Sequence, residues 1–187
     1  MEDKKGIILY SSRYGAAVRY AGWLAAETGF DCEETAKADI ADVEQYDTVI
    51  LGGGVYASGI AGLSFLKKNI GRLRDKKVIV YCVGASPSDE TAVRQIIEHN
   101  LKDGLAGVPC FYCRGALDLN KMSFVDRNVC KLLLKAVEKK DPADREPLEN
   151  ALMEAGDGRQ DWTDRAYLEP VLAAVRGETA APAEAAS

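Results

Sequence analysis

Residues 6–24, GIILYSSRYGAAVRYAGWL, begin as an unbroken apolar run, stop at two serines, an arginine, a tyrosine and a glycine, and resume with apolar residues at helical spacing. A run without polar alternation is how a strand covered on both faces reads, and the periodicity that follows is that of an amphipathic helix. One strand, one short polar loop and one helix within the first 28 residues therefore predict a β-α unit.

The rest of the chain repeats that unit. Strand-like segments follow at DCEET (31–35, the most polar), TVILGG (48–53), KVIVYCVG (77–84) and VPCFYCRGAL (108–117). Helical patterns fall at 15–28, 61–73, 89–102 and 122–139, with KADIADVEQYD (37–47) able to add a short helix. The alternation predicts an α/β fold with a five-stranded parallel sheet and helices on both faces, a three-layer sandwich. In the last helix Phe124, Val125, Val129, Leu132, Leu133, Ala136 and Val137 form an apolar stripe, predicted to pack on the core. Lys121, Arg127, Lys131, Lys135, Lys139 and Lys140 then form its solvated face. The competing reading of that basic face is peripheral contact with an anionic membrane or an acidic substrate.

Beyond EKKDPADREP (138–147) the pattern weakens. EPLENALMEAG (146–156) and WTDRAYLEPVLAAVRG (162–177) can each make a short helix, separated by the breaker GDGRQD (156–161), and GETAAPAEAAS (177–187) has nothing to bury. The expected organisation is a domain over 1–140, an acidic helical extension over 141–176 and a disordered tail over 177–187.

The formal charge of −5 is uneven. Residues 1–140 carry 20 Lys and Arg against 18 Asp and Glu, whereas residues 141–187 carry 4 against 11. Neither part has the basic stripe with interleaved aromatics that nucleic-acid binding calls for, so no nucleic-acid partner is expected. The absence of an 18-residue apolar run argues against an integral membrane segment, and the first residues lack a signal-peptide pattern; the expected location is cytoplasmic. Five cysteines in such a chain read as reduced packing residues. Cys110 and Cys113 have CxxC spacing, but on a strand residues three apart point to opposite faces, which separates them as metal ligands. His99 is the chain's one histidine. It sits near a helix end, and an internal Ser/His/Asp system is not expected.

In an open parallel sheet, ligands bind outside the carboxyl ends of the strands. SSRYGAA (11–17) can hold a phosphate on the helix N-terminus with help from hydroxyls and Arg13, or it can simply cap the helix. It matches neither GxGxxG nor GxxxxGK[ST]. GGGVYASGIAG (52–62) is a glycine-dense stretch with one aromatic, suited to a flat ligand that needs backbone approach and a stacking face. VGASPSDET (83–91) is a small-residue loop ending in a helix cap.

This loop layout, followed by GALDLNKMSFVDR (115–127), resembles the flavodoxin-like family, and within it the branch of menaquinone-dependent protoporphyrinogen oxidases. The resemblance implies strand order 2-1-3-4-5 and FMN as cofactor. It places the phosphate on Ser11, Ser12, Arg13, Tyr14, Gly15, Ala16 and Ala17. The flavin ring then lies between Gly53, Gly54, Val55, Tyr56 and Ala57 on one side and Gly84, Ala85 and Ser86 on the other, with Tyr56 as the stacking partner. The three hydroxyl positions usual in the family's phosphate loop fall at Ser12, Tyr14 and Ala17, so one hydroxyl is lost and one is a phenol. The implied function is electron transfer or a small oxidoreductase reaction, with a redox partner protein or a quinone as acceptor and catalysis belonging to the cofactor. The alternative is a binding or regulatory module of the same fold that has lost tight flavin binding. A low-potential shuttle is usually strongly acidic around its flavin, and the near-neutral charge of residues 1–140 does not fit one.

Overall fold

The computed structural model describes residues 5–156 and 158–178. Its chain runs β1 (Gly6–Ser11), α1 (Ala16–Thr28), β2 (Asp31–Glu34), α2 (Ile40–Val43), β3 (Thr48–Tyr56), β4 (Gly59–Ile60), α3 (Leu63–Asn69), β5 (Lys77–Gly84) and α4 (Glu90–Asn100). It continues with β6 (Cys110–Arg114), β7 (Ala116–Asp118), α5 (Phe124–Val137), α6 (Pro147–Ala155), β8 (Arg159–Asp161) and α7 (Glu169–Arg176). The main sheet has the order β2-β1-β3-β5-β6. All of these pairs are parallel, which is the expected 2-1-3-4-5 arrangement. Chain order reverses between β1 and β3, so the crevice beyond their carboxyl ends is the place for a ligand.

Each face of the sheet carries its own core. On one, Leu9, Val49, Leu51, Val80 and Cys82 meet Leu63, Leu66, Leu73, Leu101 and Leu105. On the other, Ile8, Ile50, Ile79, Tyr81 and Cys113 meet Ala17, Tyr20, Ala21 and Leu24 of α1, together with Leu168 and Val171. The alternation along β1, β3 and β5 explains their sequence pattern: their central positions are apolar because both faces are covered, whereas the edge strand β2 is polar and exposed. The same alternation on β6 divides the CxxC pair, with Cys110 against the first core and Cys113 in the second. All five cysteines are free.

Several boundaries differ from those expected. The third strand does not stop at Gly53 but runs on to Tyr56 and turns back into β4. Ala57 and Ser58 both have positive φ (47° and 67°), as the tight two-residue hairpin turn demands. The glycines at 52–54 are therefore strand residues rather than a loop. A Cβ on Gly52 would collide with the Tyr81 ring, and one on Gly53 with the Ala61 carbonyl. Close packing by itself accounts for these two glycines.

The fifth strand breaks at Gly115. Its N–H donates to the Gly84 carbonyl (2.7 Å), and its carbonyl accepts from the Trp162 N–H (3.0 Å). One residue thus closes the main sheet and opens a second one, in which β7 pairs antiparallel with β8. β8 lies in the stretch expected to be only a breaker. The helix expected over 61–73 splits into α3 and a 3-10 turn at Ile70–Leu73.

The largest departure concerns α5. Its apolar stripe does not pack on the sheet: Phe124, Val125, Val129 and Leu132 are 77%, 68%, 59% and 69% exposed. Neither sheet-face core contains a residue of this helix. It leans instead on α6, where Cys130, Leu133 and Leu134 join Leu152, Ala155 and Leu117 in a small third core. The sheet face beside α1 is completed by the turn at Arg165–Leu168 and by α7. Those residues belong to the expected acidic extension. Residues 179–187 of the expected disordered tail lie outside the described residues. No helix among the described residues is long and apolar enough to cross a membrane.

Candidate functional site

The loops after β1, β3 and β5 converge, as the switch point dictates. Between Ser11 and α1 the chain turns through Gly15, at φ 98° in the left-handed region that glycine tolerates. Its N–H donates to the Ser12 hydroxyl oxygen at 3.0 Å. Ser12 thereby folds the loop over, and no side chain caps α1. The first-turn N–H groups of a helix have no partners within it, so this terminus offers donors and partial positive charge to an anion.

Tyr56 crosses from β3 into that loop. Its hydroxyl accepts from the Arg13 N–H at 2.9 Å. The Arg13 guanidinium lies 4.7 Å from the centre of its ring, and Tyr14 meets it edge-on at 5.9 Å. A Cβ on Gly54 would strike the same ring, so Gly54 is what lets Tyr56 fold back. Tyr14 in turn donates to Asp126 Oδ2 of α5 at 2.5 Å. Burial and the Asp126 carboxylate push the Tyr14 phenol up. Hydrogen bonds from Tyr14 and from Ser123 hold the Asp126 carboxyl below the usual carboxylate range. The loop is tied to the start of α5.

The β5 loop is pinned from below. Tyr112 donates to the Ser86 carbonyl at 2.8 Å. Arg114 reaches the Ala85 carbonyl at 3.3 Å and Glu154 at 3.1 Å, with its guanidinium 4.2 Å from the Trp162 ring centre. The second sheet and α6 therefore hold Ala85 in place.

Between these loops lies a cleft of about 160 Å³ lined by Ser12, Tyr14, Ala16, Ala17, Gly54, Val55, Tyr56, Gly84 and Ala85, and closed by Gly115, Met122 and Leu148. A second cleft of about 290 Å³ adjoins it and shares Val55, Gly84, Ala85 and Leu148. Ala57 and Ser86 line the second cleft. Of the other residues singled out from sequence, Ser11 and Gly53 are paired in the β1-β3 ladder. Arg13 and Gly15 frame the loop itself. Met122, Asp126 and Leu148 were not expected at the site. The Ser123-x-x-Asp126 spacing was a capping signal that could have drawn attention to Asp126, while nothing local marks Leu148. Among the described residues, no cluster of His, Cys, Asp and Glu could hold a metal ion.

A family model described as a flavodoxin domain matches residues 7–144. Among solved structures, a WrbA-like flavodoxin from Agrobacterium tumefaciens is 15% identical, covering 66% of this chain and 88% of its own, with a TM-score of 0.43. A flavoprotein from Lactobacillus acidophilus in complex with FMN is 17% identical over 59% and 92%, with a TM-score of 0.38. The Trp repressor binding protein from Bacillus subtilis is 14% identical over 60% and 83%, with a TM-score of 0.41. No curated protein matches the chain.

Proposed function

The chain belongs to the flavodoxin-domain family, and from that premise we propose that it binds FMN in the cleft above β1, β3 and β5 and serves electron transfer or a small oxidoreductase reaction. The observation that carries this reading is the α1 N-terminus opening through Ser12 and Gly15 onto a cleft walled by Tyr56 and by Gly84-Ala85. The residues fit the group. Backbone donors at Ala16 and Ala17, the Ser12 hydroxyl and Arg13 suit a phosphate, and a small-residue slot beside an aromatic ring suits a flat heterocycle. Bound flavin would supply the one- and two-electron chemistry. The protein binds, orients and shields it. Tyr56 occupies the loop through its hydroxyl, so a phosphate that took the Arg13 N–H would displace that hydroxyl and free the ring to stack.

The near balance of charge over residues 1–140 supports an oxidoreductase that hands electrons to a neutral acceptor over a low-potential shuttle. The finer reading, a protoporphyrinogen-oxidase-like reaction with a quinone acceptor, rests on the resemblance of residues 115–127. One observation favours a second reading, a regulatory module without tight flavin binding: the Tyr56–Arg13 and Tyr14–Asp126 hydrogen bonds fill the phosphate loop with the protein's own groups.

Titrating the protein with FMN and following flavin fluorescence separates the two. Saturable quenching, followed by anaerobic reduction and reoxidation with quinone or protein acceptors, is the expected result. Failure to take up FMN at any concentration would sink the first reading in favour of the second. Tyr56→Phe removes the competing hydroxyl and is expected to tighten FMN about fivefold, one net hydrogen bond.

A further inference from the structure

The exposed face of α5 remains unexplained by any role at the cleft. The helix runs about 21 Å, its 14 residues rising roughly 1.5 Å each. Around its outward side Leu132, Val125, Ala136 and Val129 form one continuous apolar row, and Phe124 stands beside it at the N-terminal end of the neighbouring edge. Lys131 and Lys135 of the helix, with Lys139 in the turn just after it, four residues apart, run along one edge of that row. Among the described residues none of these three lysines takes part in an ion pair, whereas Lys140 is held by Glu149 at 2.6 Å. Glu138 is the acidic residue on this face. Four large apolar side chains more than half exposed on one helix exceed the scattered hydrophobics of an ordinary surface.

We propose that α5 is an interfacial helix that seats the protein on an anionic lipid surface. The apolar row enters the acyl boundary, and Lys131, Lys135 and Lys139 extend from its edge to lipid phosphates. Charge selects this occupant. Two copies of the face meeting antiparallel would set the lysine edge of one against the same edge of the other, and like charges in that position oppose association. Lysine is also depleted in protein interfaces, whereas lysine beside leucine and phenylalanine is the composition of helices that lie in the membrane plane. The seat does not depend on flavin. The apolar row faces away from the small core that α5 shares with α6, so docking leaves the fold intact.

The test is co-sedimentation of the full chain with vesicles of phosphatidylcholine alone or with about one third phosphatidylglycerol. Binding to the anionic vesicles and weak binding to the neutral ones is expected. Lys131→Gln and Lys135→Gln should each lower the partition about fivefold, the effect of one lysine near an anionic surface. Phe124→Ser with Leu132→Ser should lower it at least about tenfold. These side chains are exposed, so circular dichroism should report unchanged folding for every variant. Protein left in the supernatant, equal binding to both vesicle types, or full binding by the Phe124/Leu132 variant would overturn the proposal. A dimer in sedimentation velocity that the same double substitution abolishes, without vesicle binding, would also overturn it and assign the face to self-association. None of these readouts involves FMN uptake, so the proposal and the cofactor reading fail separately.

Discussion

Helices α1 and α5 are nearly equal in length, 13 and 14 residues, and both show an apolar stripe in sequence. Yet α1 fully buries Ala17, Tyr20, Ala21 and Leu24, whereas α5 buries Val137 alone. The difference lies in what each stripe can approach. On α1 the inward side is rich in alanine, which lets the helix lie close on the sheet while Tyr20 and Leu24 fill the gaps. The way to α5 departs from the sheet at Gly115, whose peptide hydrogen bonds commit the following residues to the second sheet. By the time the chain becomes helical again it is beside α6. Periodicity says that a helix has an apolar face; it does not say what that face meets.

The contrast should be widest in truncations of matched side chains. Leu24→Ala is expected to cost about 3 kcal/mol in urea denaturation, as a cavity in a packed core does. Leu132→Ala should stay within about 0.5 kcal/mol, as exposed sites do. Equal losses would erase the distinction between the two helices.

Tyr20→Phe sharpens the same point. The hydroxyl donates to the Arg114 carbonyl at 2.6 Å and accepts from the Asp164 N–H at 3.1 Å, joining α1 to β6 and to the C-terminal turn. Burial pushes this phenol well up, so it remains protonated. Its loss strands two backbone groups and should cost about 1–3 kcal/mol by thermal unfolding; a neutral result would mean that water replaces it.

Asp161 offers a pH-dependent version. Although its burial raises it, hydrogen bonds from Arg19 of α1 and from Thr163 hold this carboxyl far below the usual carboxylate range. A carboxyl depressed in the folded state stabilises above its unfolded value of about 3.9, and the stabilisation is lost as pH falls below that value toward the folded one. The acid limb of a melting-temperature profile should therefore be shallower in Asp161→Asn. An unchanged limb would detach α1 from β8.

A local effect belongs to Ser123→Ala. Its hydroxyl accepts from the Asp126 N–H at 3.1 Å at the start of α5. Amide exchange across α5 should accelerate by the loss of about 1 kcal/mol of capping, while exchange in α1 stays as it was. Acceleration in both helices would show that they unfold as one unit.

Most of the sheet was legible because a strand covered on both faces leaves no polar position, as in Ile7-Ile8-Leu9 and Val78-Ile79-Val80. The phosphate-loop candidates were legible because a β-α junction has a fixed place relative to the sheet. What could not be read was tertiary. The run Gly52-Gly53-Gly54 looked like a ligand loop, yet its spacing answers to Tyr81, Ala61 and Tyr56, two of them from other strands or turns. Tyr56 looked like a free stacking face, yet its hydroxyl reaches Arg13, 43 residues away. The strand β8, three exposed residues with no apolar member, carries no signal of its own and exists because β7 offers it an edge.

The cover supplied by Leu168 and Val171 has a consequence for synthesis. A chain emerging from the ribosome presents β1, β3, β5 and α1 first, and the part of the α1 side of the sheet that α7 and the Arg165–Leu168 turn cover on β5 and β6 stays bare until residues 165–176 have followed. The intermediate exposes Cys113 and neighbouring apolar surface to the cell for the time taken to make some fifty further residues, a few seconds at about 5–20 residues per second. The final closure is thus a late event in the life of each new molecule.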